Sequence, residues 1–297
     1  MTEYLKCELC ARRCGINRTE NVGFCKATDK IFVSRAALHL WEEPIISGER
    51  GSGTIFFSGC SLGCIYCQNK EISRGRSGLQ ITEERLSEIM LELQAQGAHN
   101  INFVTPTHYA PSIIYSTKLA REKGLKIPTV YNTGGYETPE TVRMLNDTVD
   151  VYLPDLKYYR SETAKGYSFA EDYPVVARKA IYEMVKQKGS VVLSDDGMIK
   201  SGVVVRVLLL PSHLAEAKLN VKYLYSTFGD DIYISLMSQY TPPEGMAHPL
   251  NRRVSRAEYY ELCDYAAKMG ITRAFTQEFE SASESFIPAF DNFGVNK

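Results

Sequence analysis

Three of the chain's eight cysteines lie within eight positions, at Cys60, Cys64 and Cys67 in the segment FSGCSLGCIYC. In a reducing cytosol, cysteines at such close spacing are more often metal ligands than disulfide partners. A cubane iron–sulfur cluster has four irons, so a protein that supplies three thiolates leaves one iron open to another ligand. The spacing C-x3-C-x2-C therefore predicts a [4Fe-4S] cluster with one reactive corner, and makes these cysteines the candidate catalytic and metal-binding residues.

Two other interpretations of this loop are a zinc site and a set of structural thiols. Zinc usually takes a fourth ligand nearby, and the next cysteine after Cys67 is Cys263. Ligands from distant parts of a chain also converge on zinc, so that alternative stays open. The loop itself favours the cluster, because Gly59 and Gly63 allow the backbone to pass close to a bulky group.

A second set of cysteines stands near the N-terminus, in the pattern C-x2-C-x3-C-x10-C formed by Cys7, Cys10, Cys14 and Cys25. Four thiolates suit a closed tetrahedral zinc site or an auxiliary iron–sulfur cluster, and a metal-free set is the third alternative. Nearby arginines, at positions 12, 13 and 18, could offset the thiolate charge or contact an acidic partner. The last cysteine, Cys263, falls on an amphipathic pattern and is expected to be an inert buried thiol.

The elements that must position these cysteines are short apolar runs that alternate with amphipathic segments. Near-continuous apolarity with β-branched and aromatic residues is typical of buried strands in a parallel sheet. The runs that we predict to be strands are residues 54–57, 101–105, 127–131, 149–153, 203–210 and 232–236. Residues 190–202, with the turn Asp195-Asp196-Gly197, predict an inserted hairpin.

Helix signals separate these strands. Thr82 is a candidate N-cap before two glutamates, Thr138 precedes a proline at the first helical position, and Ser255 with Glu258 forms a capping box. Alternating strands and helices imply right-handed βα units. The predicted fold class is therefore α/β, a partial (β/α)6 TIM-like barrel over residues 51–297 with a small Cys-rich extension over residues 1–50.

Composition places the chain among ordinary globular proteins, with 44% hydrophobic and 23% charged residues. The formal net charge of −1 does not favour a protein that binds nucleic acid by phosphate neutralisation. The sequence shows neither an 18-residue apolar run nor a charged-then-apolar leader after Met1. We therefore expect a cytoplasmic protein that does not bind nucleic acid or membranes.

The cysteine loop resembles the signature of radical S-adenosylmethionine (SAM) enzymes, which place this spacing directly after the first strand of a barrel. The resemblance implies that the open iron of the cluster binds SAM, and Tyr66 stands where that family usually has an aromatic residue against the adenine. It extends over most of residues 50–280. There the sequence is similar to glycyl-radical-enzyme activating enzymes, in particular to the PflX branch of proteins related to pyruvate formate-lyase activating enzyme.

Two strand ends carry this narrower resemblance. The segment Asp155-Leu156-Lys157 is similar to an Asp-x-Lys signature, in which the lysine approaches SAM and the aspartate helps to hold a monovalent cation. The segment Asn132-Thr133-Gly134-Gly135 is similar to an Asp-Thr-Asn-Gly signature, with Asn132 where the family uses aspartate for that cation. A monovalent cation is therefore a further expected ligand, and Asn132, Thr133, Asp155 and Lys157 are candidate cofactor-binding residues.

Further candidates follow the second and fifth predicted strands. Thr105, Thr107 and His108 stand where the superfamily often has a Gly-Gly-Glu segment against the amino group of SAM, and their alternative role is strand-end capping. Arg206 and His213 are similar to activase positions that contact SAM. A buried Arg206 needs either a carboxylate or a ligand as its partner. All these residues follow strands, and in βα barrels the loops after the strands converge on one pocket.

The resemblance implies a complete reaction. An external reductant, flavodoxin or ferredoxin, supplies an electron, and SAM is cleaved to methionine and a 5'-deoxyadenosyl radical that abstracts hydrogen from a glycyl radical enzyme or another substrate. Two other function classes stay open: a radical SAM enzyme that modifies a small molecule or peptide, and a non-enzymatic iron–sulfur electron carrier. The substrate is not determined by the sequence.

Overall fold

The computed structural model describes residues 1–75, 77–277 and 288–296. Its strands are β1 (Ile31–His39), β2 (Ser52–Phe57), β3 (Leu79–Ile81), β4 (Ile101–Val104), β5 (Thr129–Thr133), β6 (Val151–Pro154), β7 (Val192–Leu193), β8 (Ile199–Leu208), β9 (Tyr233–Met237) and β10 (Ala274–Thr276). Its α-helices are α1 (Pro44–Ser47), α2 (Lys70–Ser73), α3 (Glu83–Ala95), α4 (Ala110–Glu122), α5 (Pro139–Met144), α6 (Ser161–Ser168), α7 (Tyr173–Lys188), α8 (Leu214–Phe228) and α9 (Arg256–Lys268).

One mostly parallel sheet organises the chain. The strands lie in the order β10-β9-β8-β6-β5-β4-β2-β1-β3, and β2, β4, β5, β6, β8, β9 and β10 are mutually parallel along it. In the described residues the two ends of this order, β10 and β3, do not pair with each other, so the sheet is not closed. The α/β class and the partial barrel predicted from the sequence are confirmed.

The six predicted strands correspond to β2, β4, β5, β6, β8 and β9, with ends displaced by a few residues. The displacement matters at β5, because Asn132 and Thr133 are its last two residues rather than the loop after it. The predicted hairpin over residues 190–202 is confirmed by the antiparallel pairing of β7 with β8.

Local signals begin the helices where the sequence indicated. The side chains of Thr82 and Thr138 accept hydrogen bonds from backbone N–H groups three residues later, at the starts of α3 and α5. Ser255 and Glu258 form the predicted capping box of α9. Among the described residues, no helix is both long and apolar enough to cross a bilayer.

The sequence did not predict β1, which lies inside the stretch assigned to the Cys-rich extension. It pairs antiparallel with β2, from Val33 opposite Phe57 to His39 opposite Ser52, so residues 31–39 belong to the main sheet. Because β1 and β2 run in opposite directions, the end of β1 lies beside the start of β2. The chain then passes through α1 before it enters β2, and this connection carries the residues 41–44 that line the interior of the barrel.

Candidate active site

A cavity of about 330 Å³ opens among the carboxyl ends of the parallel strands. Its walls include all three cysteines of the loop after β2 and polar residues that follow or end β4, β5, β6, β8 and β9. The candidate site residues that line it are Cys60, Cys64, Tyr66, Cys67, Thr105, Asn132, Thr133, Asp155, Lys157 and Arg206. The structure thus brings together most of the residues that the sequence singled out.

The loop after β2 turns sharply at Gly59, whose φ is +94°. A Cβ atom at this position would lie 2.6 Å from the carbonyl oxygen of Cys25 and 3.2 Å from Nε2 of His108. Both the backbone angle and the close approach therefore require glycine here. The turn brings Cys60 onto the cavity wall and presses the loop against the N-terminal extension.

Two of the loop sulfurs accept hydrogen bonds from the surrounding protein. The backbone N–H of Leu62 lies 3.4 Å from Sγ of Cys60, and Oγ of Ser168, at the end of α6, lies 2.8 Å from Sγ of Cys64. Burial, and then the neighbouring thiols, raise the pKa of Cys60 and Cys67. A thiolate on this loop consequently needs a compensating positive charge, which a bound metal cluster provides.

A chain of buried hydroxyl groups leads from Tyr66 to the sulfur of Cys64. The hydroxyls of Tyr66 and Tyr158 are 2.7 Å apart, and the hydroxyl of Tyr158 is 2.6 Å from Oγ of Ser168. The ring of Tyr66 packs edge-on against that of Tyr240, with centroids 5.9 Å apart. Tyr66 is therefore held rigidly on the cavity wall beside the cysteines.

A network of buried charges occupies the middle of the cavity. Lys157 Nζ lies 2.6 Å from Oδ2 of Asp155, and Nε of Arg206 lies 2.9 Å from Oδ1. Burial alone would raise the pKa of Asp155, but Lys157 and Arg206 lower it overall. Another guanidinium nitrogen of Arg206 donates to Oδ1 of Asn132. The monovalent cation expected between Asp155 and Asn132 would have to compete with this guanidinium for the same oxygen atoms.

Sequence reasoning missed two acidic residues that complete the network. Glu42 and Glu43 lie in the connection from β1 to α1 and line the cavity. Oε2 of Glu42 is 3.2 Å from Nη1 of Arg206, and Oε1 accepts from the side-chain amides of Asn102 and Asn132. Burial raises the pKa of both glutamates, and Arg206 opposes that rise. Their only sequence signal was a pair of carboxylates followed by a proline, which is also common at helix starts.

Three of the candidate cofactor-binding residues do not lie among the cavity-lining residues. Oγ1 of Thr107 donates to Oε1 of the buried Glu137 at 2.6 Å, which turns it away from the cavity. His108 lies behind the loop, where its Nε2 is 2.8 Å from the carbonyl oxygen of Ser58. Burial, with a smaller contribution from Arg18, lowers the pKa of His108 to about 3.

His213 is the third of these residues. It precedes α8, and its Nε2 lies 3.3 Å from the hydroxyl of Tyr167. The roles that the sequence suggested for Thr107, His108 and His213 toward SAM remain predictions. In this structure each of them supports a neighbouring loop or side chain.

Comparison with known proteins agrees with this geometry. Residues 54–198 match the family model of the Radical SAM superfamily. The matched range begins in β2 and includes the cysteine loop, β4, β5 and β6. Residues 54–198, just under half of the chain, are therefore similar to a radical SAM superfamily domain.

One curated relative of the whole chain is the uncharacterized protein MJ0674 of Methanocaldococcus jannaschii, 28% identical over 278 residues, or 90% of this chain and 76% of the relative. Among solved structures, HydG, a maturase of the [FeFe]-hydrogenase, has a TM-score of 0.51 at 16% identity, over 75% of this chain and 50% of its own. Streptococcus suis SuiB bound to S-adenosylmethionine has a TM-score of 0.50 at 12% identity, over 74% of this chain and 48% of its own. This chain spans about half the length of those structures, and the likeness shows a shared fold.

The cavity fits the [4Fe-4S] cluster and SAM that the matched family implies. The three loop thiols face one cavity, and Lys157 is close enough to Cys60 and Cys67 to lower their pKa against the effect of burial. Among the described residues, no group of three or more His, Cys, Asp or Glu side chains is placed to hold a single metal ion. A cubane makes a different demand, because each thiolate binds its own iron and the sulfurs do not converge on one point.

The N-terminal extension packs directly against the cysteine loop after β2. Arg12 donates from Nε to the carbonyl oxygen of Ser61 at 3.0 Å and from Nη2 to that of Ser168 at 3.1 Å. Its guanidinium also lies 3.9 Å from the centroid of the Phe24 ring. A Cβ atom on Gly63 would approach the same ring to 3.0 Å. Arg12 therefore joins the extension to the cluster loop and to the end of α6.

The four N-terminal cysteines lie near one another behind this contact. Gly23 stands two residues before Cys25, and a Cβ atom on Gly23 would lie 2.9 Å from Sγ of Cys14. Burial, with smaller contributions from the other three thiols, raises the pKa of Cys10 to about 12. In the described structure these four thiols do not form a group placed to hold a single metal ion, and the zinc site and the auxiliary cluster stay predictions from the sequence.

We expect Arg12→Ala to loosen the extension. The variant loses its hydrogen bonds to backbone carbonyls and the contact with Phe24, which should lower the free energy of unfolding by about 1–3 kcal/mol. Faster hydrogen exchange at Ser61 and Ser168 would report the local change. Arg13→Ala is the matched control, because Arg13 is half exposed and its ion pairs with Glu8 and Glu140 lie at the surface. Equal exchange in the two variants would contradict this role for Arg12.

We expect Ser168→Ala to lower the reduction potential of the bound cluster. The hydroxyl donates to the sulfur of Cys64, and such hydrogen bonds stabilise the more negative, reduced state of a cluster. Reductive SAM cleavage should slow by about tenfold. Anaerobic redox titration followed by electron paramagnetic resonance measures the potential. Ser161→Ala, in the first turn of the same helix, should leave the reduction potential unchanged. An unshifted potential in Ser168→Ala would show that the Ser168 hydroxyl does not tune the cluster.

Proposed function

We propose that this protein is a radical SAM enzyme whose cavity holds a [4Fe-4S] cluster on Cys60, Cys64 and Cys67 and binds SAM beside it. When bound, the cluster supplies an electron for cleavage of SAM to methionine and a 5'-deoxyadenosyl radical that abstracts hydrogen from a substrate. The observation that carries the proposal is the placement of the three loop cysteines with Asp155, Lys157 and Arg206 around one cavity, in a chain whose residues 54–198 match the radical SAM family model.

The residues of this chain orient SAM and exclude water. Tyr66 presents a rigid aromatic ring next to the cysteines, suited to packing against the adenine. Lys157 and Asp155 offer a cation and a carboxylate side by side, suited to the carboxylate and hydroxyl groups of SAM. Apolar side chains close the same wall and keep the reacting carbon away from solvent, and these are Phe57, Leu62, Ile72 and Val104.

Anaerobic reconstitution tests this proposal directly. Protein loaded with iron and sulfide, reduced with dithionite in the presence of SAM, should produce 5'-deoxyadenosine and methionine in equal amounts. Flavodoxin or ferredoxin is the reductant proposed in the cell. A protein that binds a cluster, accepts an electron and leaves SAM intact would instead be a non-enzymatic electron carrier.

The finer proposal, taken from the activase resemblance, is that the substrate is a glycyl radical enzyme. The ion pair between Lys157 and Asp155 on the cavity wall supports it, because both residues of the Asp-x-Lys segment face the proposed SAM site. Incubation with a glycyl radical enzyme and SAM should then give the doublet of a glycine-centred radical in electron paramagnetic resonance. Formation of 5'-deoxyadenosine without that doublet would favour a small-molecule or peptide substrate.

A further inference from the structure

One carboxylate in the cavity has an oxygen that the surrounding protein does not satisfy. Glu43 is 7% exposed and lines the cavity. In the described part of the chain, its Oε2 is a buried oxygen without a hydrogen-bond partner. A buried polar atom in this state costs free energy unless a ligand or water meets it. Glu43 is therefore a place where a ligand group can bind.

The neighbouring carboxylates have their partners within the protein. Asp155 accepts from Lys157 on one oxygen and from Arg206 on the other. Glu42 accepts two side-chain amides on one oxygen and Arg206 on the other. Three carboxyl groups thus share two cations, so Glu43, when ionised, carries a charge that the surrounding protein does not match. The unmatched charge makes a positively charged ligand group the best complement.

The electrostatics of Glu43 agree with this assignment. Burial raises its pKa most strongly, Arg206 lowers it, and the adjacent Glu42 raises it again. The ionised form is consequently expensive in the empty cavity. A cation within hydrogen-bond distance of Oε2 would stabilise that form and would itself be stabilised.

Local hydrogen bonds fix the backbone that carries Glu43. Its carbonyl oxygen accepts from the N–H groups of Ile46 at 2.8 Å and Ser47 at 3.0 Å, so Glu43 begins α1. Pro44 follows at the first helical position, where its ring restricts the backbone. A rigid backbone at this position lowers the conformational entropy that Glu43 loses when it binds a ligand.

Aromatic side chains line the cavity together with Glu43. Phe56 of β2, Phe275 of β10 and Trp41 are part of the same wall, and the Trp41 side chain is half exposed. Such surfaces pack against methylene groups and attract cations to their ring faces. The complement to a cavity lined by these groups is thus a basic group at the end of an apolar stem.

We propose that Glu43 binds a protonated amine or guanidinium carried on an apolar stem by the hydrogen-donor substrate. The group comes from either a small alkylamine or a basic side chain of a peptide, since both present the same cation and methylene chain. This inference rests on the proposed function, because it assigns the substrate class of that site. Glu43 enters the cavity from the connection between β1 and α1, whereas Lys157 and the cysteines belong to the loops after the parallel strands.

The test measures binding to the anaerobic, cluster-loaded protein without reductant, so that it does not depend on SAM cleavage. The probes are Nα-acetyl-lysine methylamide against its neutral analogue Nα-acetyl-norleucine methylamide, and n-butylamine against n-butanol. Calorimetry in the presence of SAM should show tighter binding of each charged probe than of its neutral match. If only the lysine pair shows tighter binding of the charged probe, the ligand is a basic side chain of a peptide. If both pairs show the same preference for the charged probe, a small alkylamine is sufficient for binding.

Variants of the connection assign the effect to Glu43. Glu43→Gln should weaken the charged probe by about tenfold or more and leave the neutral probe unchanged. Glu43→Asp keeps the charge and should restore part of the affinity, which a merely structural role would not. Glu49→Gln, an exposed glutamate after α1, is the matched control and should bind the probes as the unaltered chain does.

Two results would overturn the proposal. One is equal affinity for charged and neutral probes in the unaltered protein. The other is a loss of SAM affinity in Glu43→Gln as large as the loss of probe affinity, since Glu43 would then serve the amino group of SAM. Formation of 5'-deoxyadenosine is measured separately, so a failure of radical chemistry and a failure of amine binding are told apart.

Discussion

Replacing Arg206 by methionine should lower the free energy of unfolding by about 3–5 kcal/mol, because it leaves buried carboxylates without their cation. Arg206 lies in β8 and forms ion pairs with Asp155 at 2.9 Å and Glu42 at 3.2 Å. Burial opposes its charge, but these carboxylates raise its pKa overall, so it remains a cation in the folded protein. Urea unfolding followed by circular dichroism measures the loss.

The control for this prediction is a surface arginine with a similar number of partners. Arg143 pairs with Glu140 and Glu183, but its side chain is 52% exposed. Arg143→Met should therefore cost no more than about 1 kcal/mol. Combining Arg206→Met with Glu42→Gln should recover part of the stability if unpaired charge is the cause. Equal losses for the Arg206 and Arg143 variants would show that the network is not what stabilises the barrel interior.

Cys64→Ala should abolish cluster binding at the loop and reduce formation of 5'-deoxyadenosine to background. Two remaining thiolates hold a cubane weakly, so bound iron should fall by about four per chain. Cys64 is the ligand candidate most enclosed by protein, since Ser168 contacts its sulfur and Tyr66 lies beside it. Iron analysis and the visible absorption of the reconstituted protein measure the change.

Cys263→Ala provides the comparison, because this partly buried thiol lies on α9, away from the cavity-lining residues. It should keep its iron and its SAM cleavage. Cys10→Ala, measured in the same way, reports separately on the N-terminal set, as a loss of zinc, a loss of iron or no change. A Cys64→Ala protein that retained the loop's iron and cleaved SAM would refute the proposed cluster site.

Much of the fold followed from local sequence patterns. Six of the parallel strands, all but β10, were apparent because each is a short apolar run that must be buried on both faces. The starts of α3, α5 and α9 followed from Thr82, Thr138 and Ser255, whose side chains cap the adjacent backbone. These features depend on residues within one or two turns, and sequence neighbours suffice to determine them.

The candidate site was predictable to the extent that strand ends carried it. Asp155 and Lys157 lie together on the cavity wall because they directly follow β6. Thr107 and His108 also follow a parallel strand, but they do not line the cavity. A short helical turn over Thr107–Tyr109 points their side chains toward Glu137 and Ser58. One turn of backbone changes which side of a loop a side chain occupies.

The sequence by itself determined the cysteine spacing, the alternation of strands and helices, and therefore the chemistry expected at the mouth of the barrel. Only the tertiary structure decided which distant residues join that site. Glu42 reaches Arg206 across 164 residues, and Ser168 reaches Cys64 across 104. Such pairings arise from strand register and the path of β1 beside β2, and long-range packing of this kind leaves no local pattern in the sequence.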